Sequence, residues 1–468
     1  MFDGLPVIDG DSHKVENWVI LLEYLPTAYQ DRVRPTVCEQ GYARVMLLDY
    51  NPATGKADLP RMLSRPSGPS KGLFAAFHRE GTLGGMFSRL RLEHMDREGI
   101  DIGLIYPTIS MGINMLQDRE FAVALARAYN DYILEDCAQA PQRLKPVGLI
   151  PLVDVQAGLE EMERVWARGV VGFTVAPSVP VPHPDAPAQF PLVAWPKPIS
   201  SPEFLPIFEK AVALNAAVGL HGAGPGMYMP GGIYDFTDSF LINHIFGHRN
   251  QMQLALSRCV FDGLFEKFPT LRMAFLEGGC GWLPDLMHAF HEHWEKRLRD
   301  FDPDLSLDLE AYQREMRHEL GEERLRALSW KHRRALTSQL VFHARKGKHA
   351  RPRTHAEDPY TWESPLQRDP MDYFRQGRLF FGFESDDPGP LLLPTALGEW
   401  GEDLAMFSVD YGHWDGEVEG CVRRVSEQEQ LTRRHRQKLL STNALRFYGE
   451  RLARDVPSWG AAVVPHAA

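Results

Sequence analysis

The sequence predicts an α/β barrel of eight strand–helix units, and two observations carry that prediction. Short apolar runs alternate with helix-length amphipathic segments along the 468 residues, the pattern of repeated βα units around a parallel sheet. Ionisable side chains also recur directly after the apolar runs, where a closed (β/α)8 barrel carries its chemistry.

Eight runs read as strands: near Val7 to Asp11, Ile102 to Tyr106, Lys145 to Leu152, Gly169 to Ala176, Ala216 to His221, Leu271 to Glu277, Leu379 to Glu384 and Leu404 to Asp410. Between them, helical periodicity marks Arg119 to Ala138, Ala157 to Ala167 and Gln253 to Phe268. Ser426 and Glu429 have the spacing of a capping box for a helix from Glu427 to Leu440. Three segments exceed a minimal barrel and read as insertions into one domain spanning 1–468. The first two, about residues 17–98 and 177–202, are rich in proline and glycine (Arg65-Pro66-Ser67-Gly68-Pro69 in the first) and read as loops over the mouth. The third, about residues 298–378, carries Lys331-His332-Arg333-Arg334 and the basic run from Arg345 to Arg353. It reads either as a solvated lid or homo-oligomer contact arm, or as a surface for a phosphorylated substrate handle.

Composition excludes several classes. A hydrophobic content of 44% with 24% charged residues is that of an ordinary globular enzyme, and no stretch reaches the roughly 18 consecutive apolar residues of a membrane span. The formal charge of -11 argues against general nucleic-acid binding, which needs a basic surface. Met1 leads straight into an acidic strand rather than a basic and then apolar leader, so a cytoplasmic address is expected. The five cysteines, Cys38, Cys137, Cys259, Cys280 and Cys421, are far apart and show no C-x-x-C spacing, which fits neither a disulfide framework nor a zinc ribbon.

The chemistry concentrates at the strand ends. Asp9-Gly10-Asp11-Ser12-His13 puts Asp11 and His13 on one face of the first strand, because side chains alternate with period two. His221 ends strand five, Glu277 strand six, Glu384 strand seven and Asp410 strand eight. Each alone has an ordinary reading as a cap or salt bridge; together they define a metal site at the barrel mouth. His248 and His413 are expected just behind the ligands, and Trp282, Tyr411 and Trp414 are expected to line a substrate pocket.

Four segments, Ile8-Asp9-Gly10-Asp11-Ser12-His13, Met95-Asp96-Arg97-Glu98-Gly99-Ile100-Asp101, Leu276-Glu277-Gly278-Gly279-Cys280-Gly281-Trp282-Leu283-Pro284 and Phe407-Ser408-Val409-Asp410-Tyr411-Gly412-His413-Trp414-Asp415, together resemble the amidohydrolase-related barrels over most of residues 5–450. The resemblance implies a TIM barrel of the metal-dependent hydrolase type, with metal ligands after strands one, five and eight: Asp11, His13, His221 and Asp410. Many members carry His-x-His on strand one and a histidine after strand six. This chain has Asp11 and Glu277 there, which favours hard, oxygen-rich ligation and hence iron or manganese over zinc. Glu277 and Glu384 add charge for a second ion. Such a set is similar to the nonheme diiron monooxygenases of platensimycin and platencin biosynthesis. That similarity implies two Fe ions held by Asp11, His13, His221, Glu277, Glu384 and Asp410, with dioxygen and an external electron donor as co-reactants. It further implies hydroxylation of an unactivated C–H bond in a large hydrophobic, CoA-linked small molecule, within antibiotic biosynthesis. The alternative is a mononuclear hydrolase or decarboxylase with Mn or Zn, in which Asp410 is the general base and Glu277 orients the substrate.

Overall fold

Eight parallel strands follow one another around the sheet in sequence order. They are β1 (Ile8–Lys14), β2 (Ile102–Pro107), β3 (Leu144–Leu149), β4 (Gly172–Val175), β5 (Ala217–Leu220), β6 (Arg272–Phe275), β7 (Leu379–Phe383) and β8 (Ala405–Phe407). All eight expected strands are therefore present. The two edge strands meet where the chain just past β8 lies beside β1: the Asp410 N–H donates to the Asp11 carbonyl at 3.2 Å and the His13 N–H to the Tyr411 carbonyl at 2.8 Å. The sheet is a nearly closed barrel.

The computed structural model describes residues 1–37, 43–51, 55–62, 83–182, 194–222, 240–295, 309–335, 365–413, 419–454 and 456. They divide into two compact units, Met1–His288 with Leu366–Ala468, and Ala289–Pro365. In the second unit the helix Leu309–Arg326 is broken at Gly321, whose φ of 70° is left-handed, and Lys331 to Arg334 are exposed. The basic run Arg345 to Arg353, the segment Arg65 to Pro69 and Trp414 lie outside the described residues.

Helices follow the barrel strands: α1 (Ser88–Glu98), α2 (Arg119–Cys137), α3 (Val155–Arg168), α4 (Leu205–Ala213), α5 (Phe240–Phe261), α6 (Leu283–Trp294, whose second half belongs to the second unit), α7 (Gly389–Leu397) and α8 (Cys421–Ser426). Asp118 and Asp154 cap α2 and α3 by accepting from the Phe121 and Ala157 N–H groups, which satisfies donors the helix start leaves open. The segment expected as one helix from Gln253 to Phe268 is two, because Gly263 at φ 75° ends the first. The capping box expected at Ser426 is not formed. Ser426 ends α8, its hydroxyl donating back to the Arg423 carbonyl, and buried Leu431 draws the chain inward before Thr432 caps the next helix on the His435 N–H.

The barrel interior is apolar at its N-terminal end. Ile8, Leu104, Val147, Ala217, Ala274, Phe380 and Met406 pack with Ala444, Phe447 and Tyr448 of the C-terminal helix Asn443–Tyr448. The larger aliphatic and phenyl side chains among these each contribute about 1.5–3 kcal/mol on full burial. Gly10 gives the Met406 side chain room: a Cβ would sit 2.9 Å from it, and Met406 would have to shift. Among the described residues no helix is long and apolar enough to cross a membrane, and the described cysteines are free and buried.

Candidate metal centre

The C-terminal ends of β1, β5, β6 and β8 bring five expected site residues together. A register shift between Asp9 and Ser12 marks β1. Beyond it Asp11 and His13 face the interior, while Ser12 and Lys14 turn outward to α1 and α2, where Lys14 pairs with Asp136 at 2.8 Å. His13 Nε2 lies 3.5 Å from Asp11 Oδ1 and 3.3 Å from Asp410 Oδ1. His221 Nε2 lies 3.0 Å from His13 Nε2 and 3.5 Å from Asp11 Oδ2. All four residues are buried.

The two imidazoles are oriented for a cation. His13 Nδ1 sits 2.8 Å from the Pro107 carbonyl and His221 Nδ1 2.9 Å from the Gly222 carbonyl. A carbonyl only accepts, so each Nδ1 carries a proton, and in the neutral ring that ligates a metal each Nε2 presents a lone pair. Two lone pairs 3.0 Å apart, with carboxylate oxygens around them, repel unless a positive charge lies between. Asp11 Oδ1 is also buried with no hydrogen-bond partner, the state of a ligand atom whose partner is a metal. The donor set therefore fits one divalent cation. Glu16, buried after β1, accepts from the Thr108 and Ser110 N–H groups at 3.1 and 2.8 Å, and so fixes the turn that follows Pro107.

A second cluster leads from this point to the surface. Glu277 bridges two imidazoles, with Oε2 2.7 Å from His248 Nδ1 and Oε1 3.0 Å from His413 Nδ1. His413 Nδ1 is also 2.7 Å from Asp410 Oδ1, and its ring stacks on His13 at 3.9 Å. Glu277 and Asp410 both adopt left-handed backbone, φ 59° and 53°. That is a sparsely populated conformation for residues with a Cβ, and one that concentrates at functional sites. Burial works against charge throughout. It drives the Asp410 carboxyl well above the usual range despite His413 beside it. For Glu277 the nearby His248 and His221 outweigh burial and hold it well below that range. For His221 burial is overcome by Glu277 and Asp11, which push it up to about 9. His13 is held well below the ordinary imidazole value by burial and by His413 and His221.

A cleft of about 530 Å³ opens beside Glu277 and Asp410, lined also by His248, Arg249, Trp282 and Glu384. Glu384 does not join the donors. It follows β7 directly but is exposed at the cleft rim, outside both groups of side chains close enough to share an ion. Trp282 lines the cleft and packs edge-on against Phe381 at 5.9 Å. Tyr411 turns away, toward Arg91 and His94. Asp387 is a residue that sequence reasoning missed: its carboxylate accepts from the Cys280 N–H at 2.8 Å and the Gly389 N–H at 2.6 Å and so ties the turn after Glu277 to the start of α7. The only hint was its place before Pro388-Gly389, where an aspartate reads as a helix cap.

Barrel, strand-end donors and cleft are those of a metal-binding (β/α)8 enzyme fold, and the comparisons give the family. The Amidohydro_2 model, described as Amidohydrolase, matches residues 84–325, more than half of the sequence; the chain belongs to that family. It is 24% identical to a 2-amino-3-carboxymuconate-6-semialdehyde decarboxylase of Dictyostelium discoideum over 41% of this chain and 47% of that protein. It is 26% identical to a gamma-resorcylate decarboxylase of Rhodococcus jostii (strain RHA1) over 41% of this chain and 56% of that protein. The matched stretch thus spans about half the length of these relatives. A solved dihydroxybenzoic acid decarboxylase from Polaromonas sp. JS666, with bound manganese and the inhibitor 2-nitroresorcinol, superposes with a TM-score of 0.54. Its identity is 17%, covering 95% of this chain and 97% of that one, and it shares the fold.

These relatives overturn the expected monooxygenase. Decarboxylation is not an oxidation, so the paired irons, dioxygen, the electron donor, the CoA-linked substrate and the place in antibiotic biosynthesis lose their support. The geometry agrees on one point: Glu384, expected to complete a second ion's shell, is at the rim.

Proposed function

We propose that this protein is a mononuclear, divalent-metal-dependent decarboxylase acting on an aromatic acid with an oxygen substituent next to its carboxylate. The observation that carries the reading is the pair of opposed Nε2 lone pairs of His13 and His221 among buried carboxylates, 3.0 Å apart, in a chain whose curated relatives are named as decarboxylases. Asp11, His13, His221 and Asp410 would hold the ion, and the manganese bound by the Polaromonas protein supports Mn²⁺ as the first to try. When bound, such an ion supplies Lewis-acid polarisation of the substrate's carboxylate and adjacent oxygen.

The protein's own groups then do the rest. Trp282 gives the cleft a flat apolar wall for a ring. His413 Nδ1 holds a proton between Asp410 and Glu277, and Glu277 connects it to His248. The substrate ring carbon bearing the carboxylate accepts that proton. The C–C bond then breaks, its electron pair returns to the ring, and CO2 leaves. One proton is consumed, resupplied through His248, and no electron acceptor is needed.

The test is CO2 release from 2,6-dihydroxybenzoate and 5-carboxyvanillate by Mn²⁺-loaded protein in the absence of oxygen. Release abolished by chelation and restored by Mn²⁺ is expected. Turnover that requires dioxygen and a reductant would refute the reading.

A further inference from the structure

Arg91 of α1 is 1% exposed, yet its guanidinium meets no carboxylate at ion-pair distance among the described residues. One nitrogen donates to Ser12 Oγ at 2.5 Å and another to the His13 carbonyl. Its carbon lies 4.6 Å over the Tyr411 ring, whose hydroxyl pairs with His94 of the same helix. Asp9, on the same strand, has its Oδ1 accepting from the Val409 N–H at 3.0 Å. Arg91 is therefore bonded to Ser12, which lies between two proposed ligands of β1, and to the carbonyl of the second, His13, and it packs on the ring of Tyr411, the residue that follows the proposed ligand Asp410.

The place where this happens is the seam between β1 and β8, where the described residues form no strand ladder and β1 is instead bonded to the residues just past β8. The chain entering α1 is built for close approach to it. A Cβ at Gly84 would overlap the Tyr411 hydroxyl at 1.7 Å, and one at Gly85 would lie 2.6 Å from Val15 and 3.1 Å from Gly412. A buried guanidinium is costly to desolvate, and a planar fork that spans a hydroxyl, a carbonyl and an aromatic face is something a lysine cannot reproduce.

We infer that Arg91 is a positioning residue for the cation: it sets the register of β1 against β8, and with it the distance of Asp11 and His13 from Asp410. This rests on the metal reading above. Groups standing behind metal ligands typically change affinity about 10–100-fold when removed. Mn²⁺ binding, followed by titration of the free ion's magnetic resonance signal in folded protein, is therefore expected to weaken by about that factor in Arg91→Met and by less in Arg91→Lys. Melting temperature is recorded alongside. A purely structural Arg91 would lower melting and leave the Mn²⁺ affinity of the folded protein unchanged, which would overturn the inference. Should Arg91→Met not fold, Ser12→Ala decides: severalfold weaker Mn²⁺ binding is expected, and wild-type affinity would overturn it. Failure of wild-type protein to bind Mn²⁺ would instead remove the metal reading itself, and the inference with it.

Discussion

The half of the site built by β1 and β5 and the half built by β6 and β8 use the same residue types for opposite ends. In the first, His13 and His221 each give one nitrogen to a main-chain carbonyl and aim the other at a common point. Both Nδ1 protons there are fixed, and the arrangement suits holding an ion. In the second, Glu277 stands between His248 and His413, and His413 between Glu277 and Asp410. The shared nitrogens and oxygens there suit moving a proton. Backbone conformation follows the same division, since the left-handed residues are Glu277 and Asp410. Histidines and carboxylates at a barrel mouth thus acquire their roles from what fixes their second polar atom.

Breaking the first half should have the largest effect. His221→Ala removes an ion ligand, and because a bound ion contributes several kcal/mol to transition-state stabilisation, turnover should fall by about 10³-fold or more. Metal content measured beside activity should fall with it. Glu277→Gln should divide the halves: Mn²⁺ affinity close to wild type, with turnover reduced about 10²–10⁴-fold, the usual share of a proton-transferring group. Equal loss of both would erase the distinction.

Smaller effects sharpen the boundary. Gly412 sits between the halves at φ 104°, and a Cβ there would meet the His13 carbonyl at 2.7 Å. Gly412→Ala should destabilise the fold by about 1–3 kcal/mol through backbone strain, read by denaturant unfolding. Outside both halves, buried His435 is held down to about 4 by burial. Its folded value lies below its unfolded one, so its contribution to stability is full above about pH 6.5 and is lost as pH falls through about 4. His435→Leu should flatten the acid limb of stability over that window. Acid loss of activity that persists in this variant at full stability then belongs to the site.

Much of this was legible in the sequence. Apolar runs of strand length bounded by turn residues located all eight barrel strands, and period-two alternation placed Asp11 and His13 on one face. Position after a strand did not say how far a side chain reaches inward, which is why Glu384 was grouped with donors it does not join. Spacing alone put a capping box at Ser426, where the burial of Leu431 moved the helix start to Thr432. Arg91 left no trace, because an arginine on a helix normally faces water and its partners here, Ser12, the His13 carbonyl and Tyr411, are distant in sequence. The reading of the chemistry as oxidation came from counting carboxylates, and a count does not reveal which of them share a proton and which face an ion.

The account's central claim is that Asp11, His13, His221 and Asp410 hold a cation that does not need Glu277. Counting Mn²⁺ bound per chain in wild type and in Glu277→Gln tests it most directly. About one tightly held ion in each is expected. No ion in the wild type, or an ion held by the wild type and lost from Glu277→Gln, would contradict it.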